Sequence, residues 1–170
     1  MNTDKKRAFF RANVGIVVCN RAGQVLACER ADYRGAWQFP QGGMLASEEP
    51  LDAAYRELKE ETGIMWDTVK LIGEYPEWLA YELPPDSRSS KKGRGQVQKW
   101  FLFLFLGSAK DIRPGHEFRA WKWMNFSKLA ATTASFRRPI YAKLLAFYSV
   151  RRSRTIRRRR ISPSKRLRSG

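Results

Sequence analysis

Residues 42–64 read GGMLASEEPLDAAYRELKEETGI, and this stretch decides both the fold and the chemistry to look for. Its second half predicts a helix over Pro50–Thr62. Proline suits a first helical turn, where its missing N–H costs nothing, and Gly63 suits the left-handed residue that ends a helix. Leu51, Ala54, Tyr55 and Leu58 recur at i, i+3, i+4 and i+7, which gives one stripe facing a core. At about 100° per residue, Glu57 and Glu61 lie about 40° apart with Glu60 beside them. This face is expected to be solvent-facing, more than about 90° from the stripe of Leu51 and Leu58. Three like charges within a turn repel, so something cationic should compensate them. Hard carboxylate oxygens suit Mg²⁺ or Mn²⁺, and the scarcity of His and Cys argues against zinc. Such a metal would neutralise a polyphosphate and activate water for attack on phosphorus. Arg56 lies about 40° from Glu60 on its other side, where it can orient Glu48 or Glu60. Gly42 and Gly43 allow close backbone approach to a ligand, and the Gly42 carbonyl is a candidate metal donor.

Working outward, 14–19 and 24–28 are β-rich runs joined by Asn-Arg-Ala-Gly, a hairpin signal. Residues 36–39 form a short strand ended by Pro40 and the two glycines. Further strands are expected at 69–75, 78–83, 97–106 and Phe118–Met124, with a polar, basic loop over 84–95. An amphipathic helix fits 135–150. Strands interleaved with two substantial helices predict an α/β sandwich, a mixed sheet covered by helices. Residues 1–150 are read as one domain and 151–170 as a basic, disordered tail.

Composition bounds the function. The chain carries 33 Lys plus Arg against 16 Asp plus Glu, net +17, and is 43% apolar and 13% aromatic. Ten basic residues and no acidic one fall in 151–170, which leaves the domain at +7. Both parts favour polyanions. If the first hairpin pairs across 20–23, Cys19 faces Gln24 and Cys28 faces Gly15. The thiols are then roughly 13 Å apart along the strand, too far for a disulfide. Reduced thiols, no secretory leader and no apolar run beyond seven residues (100–106) predict a cytoplasmic protein that does not enter a membrane.

Gly42, Glu48, Arg56, Glu57, Leu58, Glu60, Glu61, Gly63 and Ile64 fit the pattern G-x5-E-x7-R-E-U-x-E-E-x-G-U, where U is bulky and apolar. A chance match is on the order of 10⁻⁹ per start position. The pattern is the signature of the Nudix hydrolases, and the chain resembles that family. FRANVGIVVCNRAGQVL, AWQFPQGG, GQVQKWFLF, EFRAWKWM and SFRRPIY further resemble segments of the bacterial RNA pyrophosphohydrolases, also described as dinucleoside polyphosphate hydrolases. The likeness covers about residues 10–150. It departs at Met44-Leu45-Ala46-Ser47, where the family usually has a Pro-Gly loop, and at Ala12, often Pro.

The resemblance implies a Nudix-type α/β/α sandwich that releases pyrophosphate from 5′-triphosphorylated RNA and leaves a 5′-monophosphate that marks the transcript for decay. It implies that Glu57 and Glu61 are principal metal ligands and Glu60 a ligand or base, with Glu117 completing the cluster. Arg11, Arg30 and Lys99 become candidates for gripping phosphates. Phe136 and Arg137 become candidates for stacking on and gripping a base. His116 is given no role. Two alternatives stay open: a dinucleoside polyphosphate hydrolase using the same metals, and a basic RNA-binding module with secondary hydrolase activity.

Overall fold

Strand β1 (Phe10–Cys19) organises the molecule, because it pairs with three neighbours. The computed structural model describes residues 9–160, with side chains as far as Arg152. Along its whole length β1 runs parallel to β7 (Gly95–Phe105), from Phe10 opposite Gly95 to Cys19 opposite Leu104. On its other edge it meets β2 (Val25–Arg30) only at Cys19 opposite Val25, and then β4 (Gln41–Gly43). The remaining strands are β3 (Trp37–Gln38), β5 (Val69–Glu74), β6 (Leu79–Glu82) and β8 (Phe118–Met124). Together they form one eight-stranded mixed sheet, with β5 and β6 paired to β7 and with β3 and β8 paired to β2.

Alternation along β1 and β7 divides the core in two. Val14, Ile16, Val18, Phe101 and Phe103 face helix α1 (Pro50–Thr62), meeting Ala54 and Leu58. Val17, Trp100 and Leu102 face α2 (Phe126–Thr132) and α3 (Arg138–Arg160), meeting Leu129, Tyr141 and Leu144. Each such side chain contributes roughly 1.5–3 kcal/mol by leaving water. Gly15 allows the centre of the second layer to close, since a Cβ there would lie 2.4 Å from the Trp100 ring. The Tyr141 hydroxyl accepts from the Phe39 N–H at 2.8 Å and ties α3 to the short link between β3 and β4. The expected sandwich of helix, mixed sheet and helix is the fold.

Several expectations need correction. Cys19 stands opposite Val25, not Gln24, and β2 spends its length on β8 rather than on β1. The two thiols belong to different cores on opposite sheet faces, so their separation holds for a stronger reason than register. Pro40 interrupts a strand that resumes as β4, since it cannot donate to the ladder. Helix α2, capped by the Asn125 side chain on the Ser127 N–H, was not expected. Helix α3 begins after a 3-10 turn (Ser135–Arg137) and runs past the expected end at 150 to Arg160, so the first half of the expected basic tail is helical. Residues 161–170 lie outside the described residues. No helix among the described residues is long and apolar enough to cross a membrane.

Candidate active site

Helix α1 forms where the sequence places it, with Pro50 in its first turn and Gly63 at φ 71° closing it. Its last carbonyls are taken by the segment before β8. The Arg113 N–H donates to the Thr62 carbonyl at 2.7 Å, and the Gly115 N–H to the Glu61 carbonyl at 2.9 Å. A Cβ on Gly115 would lie 2.3 Å from the Glu60 carbonyl oxygen, so only glycine fits this splice. The splice carries Glu117 toward the glutamates of α1.

At the other end of the helix, residues 44–48 fold into a turn with the Leu45 N–H donating to Glu48 Oε2 at 2.9 Å. Arg56 then draws the motif together. Its Nε and Nη2 donate to the two Glu48 oxygens, both at 2.8 Å, and Nη2 also reaches the Gly43 carbonyl at 2.9 Å. Its Nη1 donates to Glu57 at 2.7 Å and reaches Glu60 at 3.4 Å. Arg56 is thus the cation that the glutamate crowding called for. Gly42 lies against the Glu57 carboxyl, since a Cβ would come within 1.8 Å of its carbon, and a Cβ on Gly43 would come within 2.1 Å of the Arg11 guanidinium.

The glutamate face is not solvent-facing as expected. Glu57 is 7% and Glu61 8% exposed, and only Glu60 stands in water. Helix geometry explains it: Glu61 lies only about 60° round the helix from Leu58, nearer the core than the expected angle allowed. Arg56 hydrogen bonds, reinforced by the Leu45 N–H, hold the Glu48 carboxyl down at about 2. Burial pushes Glu57 up against the opposing pull of Arg56. Burial pushes Glu61 further, to about 8, with the charges of Glu117, Glu57 and Glu60 adding to it. Glu61 Oε2 is buried with no hydrogen-bond partner. A buried, unpaired carboxylate oxygen amid three other carboxylates fits a divalent cation. Among the described residues no three of these groups already stand close enough to cage one.

Beside them opens a cleft of about 420 Å³. Arg11, Arg30, Glu117, Phe136 and Arg137 line it, which brings five of the expected site residues together. Arg30 is held by a bidentate pair with Asp32, one contact being 2.7 Å. The Arg137 guanidinium lies 4.6 Å from the Phe136 ring centroid, and that ring packs on Tyr81 at 5.4 Å. Arg137 is buried, and its Nε has no partner. Phe136 is half-buried, serving core and cleft alike.

Lys99 does not join them. It points to the α1 face of β7, where Nζ meets Glu74 at 2.8 Å and the carbonyls of Tyr75 and Pro76 at 2.8 and 3.1 Å. Its charge is used within the fold. His116, given no role, lines the cleft. Sequence reasoning also missed an amide row on the cleft side of the sheet. Gln98 Nε2 donates to Asn13 at 2.7 Å and to Gln41 at 2.9 Å, while Gln96 accepts from the Tyr81 hydroxyl at 2.9 Å. The signal was Gln96 and Gln98 at alternate positions at the start of a strand that turns apolar from Trp100 onward.

This architecture, with its motif on a helix beside a mixed sheet, is that of the NUDIX domain, whose family model matches residues 9–144. The chain belongs to that family. It is 40% identical over 146 residues to the RNA pyrophosphohydrolase of Cereibacter sphaeroides, covering 82% of this chain and 90% of that protein. To the RNA pyrophosphohydrolase of Acidiphilium cryptum it is 43% identical over 145 residues, 79% of this chain and 87% of that one. In fold it is similar to the Ap4A hydrolase of C. elegans in a binary complex, with TM-score 0.63 and 24% identity over 82% of this chain and 98% of that one.

Proposed function

We propose that the protein is an RNA 5′ pyrophosphohydrolase: water attacks phosphorus in 5′-triphosphorylated RNA, a phosphoanhydride bond breaks, pyrophosphate leaves and a 5′-monophosphate remains. The observation that carries this reading is one continuous cleft with the Glu117 carboxylate, the arginines Arg11 and Arg30 and an aromatic ring beside a guanidinium at Phe136 and Arg137. The named relatives, at 40–43% identity over most of both chains, support the same substrate. The divalent cation, Mg²⁺ or Mn²⁺, would be held by Glu57, Glu61, Glu60 and Glu117 with the Gly42 carbonyl. When bound it supplies charge neutralisation at the phosphates and a more acidic water.

The chain's own groups divide the remaining work. Arg56 holds Glu57 and Glu60 in register and keeps Glu48 charged. Glu60, the exposed carboxylate, accepts the proton that the attacking water loses. Arg11 and Arg30 grip phosphate oxygens, and Phe136 and Arg137 seat a base of the RNA.

The metal end serves any polyphosphate, so discrimination rests on what lies beyond the phosphates. A stacked base is worth about 1–3 kcal/mol by alanine substitution, so Phe136→Ala should lower kcat/KM for triphosphorylated RNA by roughly 5- to 150-fold. Free nucleoside triphosphate, with no second base, should lose far less. The measurement is kcat/KM for triphosphorylated RNA, a dinucleoside polyphosphate and a nucleoside triphosphate, at one salt concentration. Equal losses on all three would give Phe136 a packing role only. A wild-type preference for the dinucleoside polyphosphate would replace this reading with that activity.

A further inference from the structure

The connection from β6 to β7 carries Arg88, Lys91, Lys92 and Arg94 against one acidic residue, Asp86. These four cations are in two different states. Glu82 takes both arginines, Arg88 at 3.0 Å and Arg94 at 2.7 Å, one on each carboxylate oxygen. Arg88 Nε also donates to the Leu83 carbonyl at 2.9 Å. The tip is a tight turn: the Gly93 N–H donates to the Ser89 carbonyl at 2.8 Å, and the Lys92 N–H to Ser89 Oγ at 3.0 Å. Gly93 adopts φ 70°. The Arg94 N–H then pins the far end to the Phe9 carbonyl at 2.8 Å. The loop is therefore fastened at its base, across its tip and to the start of β1.

The Lys91 and Lys92 side chains take no part in that fastening. Both are exposed, and neither ammonium makes a hydrogen bond or close ion pair among the described residues, although the charge of Lys92 reaches the Asp32 carboxylate that Arg30 holds. Lys92 and Ser87 line the rim of the cleft that holds Arg11, Arg30 and Phe136. An aromatic ring stands next to them. Phe9 is 43% exposed, and its ring lies against Gly93, where a Cβ would come within 2.9 Å of Phe9 Cε2.

Two solvated cations and an exposed ring on a pre-ordered loop match the needs of a single-stranded nucleic acid, whose phosphates take the charge and whose unpaired bases take the ring. Ordering the loop on binding costs little, since its backbone is already tied down. An acidic peptide would use the lysines and leave the ring unused. We propose that Lys91, Lys92 and Phe9 form a docking surface for the single-stranded RNA downstream of the 5′ end, where the strand leaves the cleft past Ser87. This rests on the RNA reading above. It also means that the loop rewards chain length, since a dinucleotide ends inside the cleft and a longer strand reaches the lysines.

The experiment uses the full chain, its Lys91→Ala/Lys92→Ala variant and its Phe9→Ala variant. Fluorescence anisotropy follows a 5′-hydroxyl single strand of about ten nucleotides, the span of a typical single-strand site, with a duplex for comparison. Turnover is read on a triphosphorylated dinucleotide and on a longer triphosphorylated strand. The double lysine variant should flatten the log–log salt dependence of single-strand binding by about 1.4, or 0.7 for each phosphate contact. It should lower kcat/KM on the long strand several-fold more than on the dinucleotide. Phe9→Ala should weaken the single strand roughly fivefold or more, with the duplex unaffected. Unaltered affinity and salt slope in both variants would overturn the proposal, as would equal losses on the dinucleotide and the long strand. Equal weakening toward a polyglutamate peptide would make the surface a general anion site and overturn it too. Intact docking with no hydrolysis of any triphosphorylated RNA by the unaltered chain would sink the pyrophosphohydrolase reading and leave the docking surface standing.

Discussion

Glu48 sits just ahead of helix α1 with both carboxylate oxygens taken by Arg56 and one also by the Leu45 amide, whereas Glu61 sits in the last turn with one oxygen buried and unpaired. The same chemical group is held down at about 2 in the first place and pushed up to about 8 in the second. The difference teaches how the motif divides its labour. Glu48 has every interaction that a folded chain can offer it, so it belongs to the scaffold that aims Arg56. Glu61 has been taken from water with one oxygen left unpaired, so the fold carries a cost there that a proton or a bound cation must offset.

The largest expected effect comes from removing the unsatisfied charge. Glu61→Gln should lower turnover with Mg²⁺ present by at least about 10²-fold, nearly 3 kcal/mol in barrier. Turnover close to that of the unaltered chain would dissolve the contrast with Glu48. The same substitution should act oppositely on stability when a chelator keeps cations away. The folded protein retains the Glu61 proton up to a pH of about 8, while an ordinary glutamate in the unfolded chain releases it from about 4.5. The folded state therefore binds more protons across that interval, and stability falls as pH rises from about 4.5 to about 8. Melting temperatures taken in chelator should show Glu61→Gln gaining on the unaltered chain across this window and holding its lead above it. A pH-independent gap would mean that Glu61 is not penalised.

Glu48→Gln should do the reverse. It weakens charge-assisted hydrogen bonds to Arg56, and a loss of about 1–3 kcal/mol is expected at neutral pH. Because the folded carboxyl is held at about 2, this contribution is full above about 4.5 and vanishes as pH falls through about 2. Chemical denaturation at pH 7 and at pH 3 should show the gap narrowing in acid; an unchanged gap would place the loss elsewhere than in the ion pair. The smallest effect concerns Ser47, the only non-glycine with positive φ among the described residues, at 61°. Left-handed backbone costs an ordinary residue about 1–2 kcal/mol, partly cancelled by the extra freedom of glycine when unfolded. Ser47→Gly should raise stability by roughly 0.5–1 kcal/mol and leave Glu48 bonded to Arg56. A lower melting temperature would show that the serine hydroxyl supports the turn.

Helix α1 was legible almost to the residue, because its stop signals and apolar stripe are local and agree with the packing they meet. The glutamates were legible as a group, but their burial was not. It depends on a few tens of degrees round a helix and on the segment stapled to Glu61 from Gly115, neither of which spacing alone reveals. Lys99 misled because a lysine in a strand looks the same whether it faces a cleft or the Glu74 carboxylate across the sheet. Helix α2 escaped notice since seven residues carry too few apolar repeats to stand out. The Arg-rich end of α3 was read as tail because its composition supports no core, yet neither glycine nor proline is present there to stop a helix already begun.

The parallel pairing of β1 with β7 sets a schedule for the chain as it is made. The first strand emerges from the ribosome early, but its long-range partner ends only at Phe105, and the helix bearing the glutamates is synthesised between them. Until that point the glutamate helix has no completed sheet to lie on, and Val14, Ile16 and Val18 wait with their apolar faces uncovered. At about 5–20 residues per second, the interval is a matter of seconds during which the nascent protein is most open to misassembly. Premature termination between the end of α1 and β7 therefore leaves the glutamate motif fully translated and without a completed sheet to fold on.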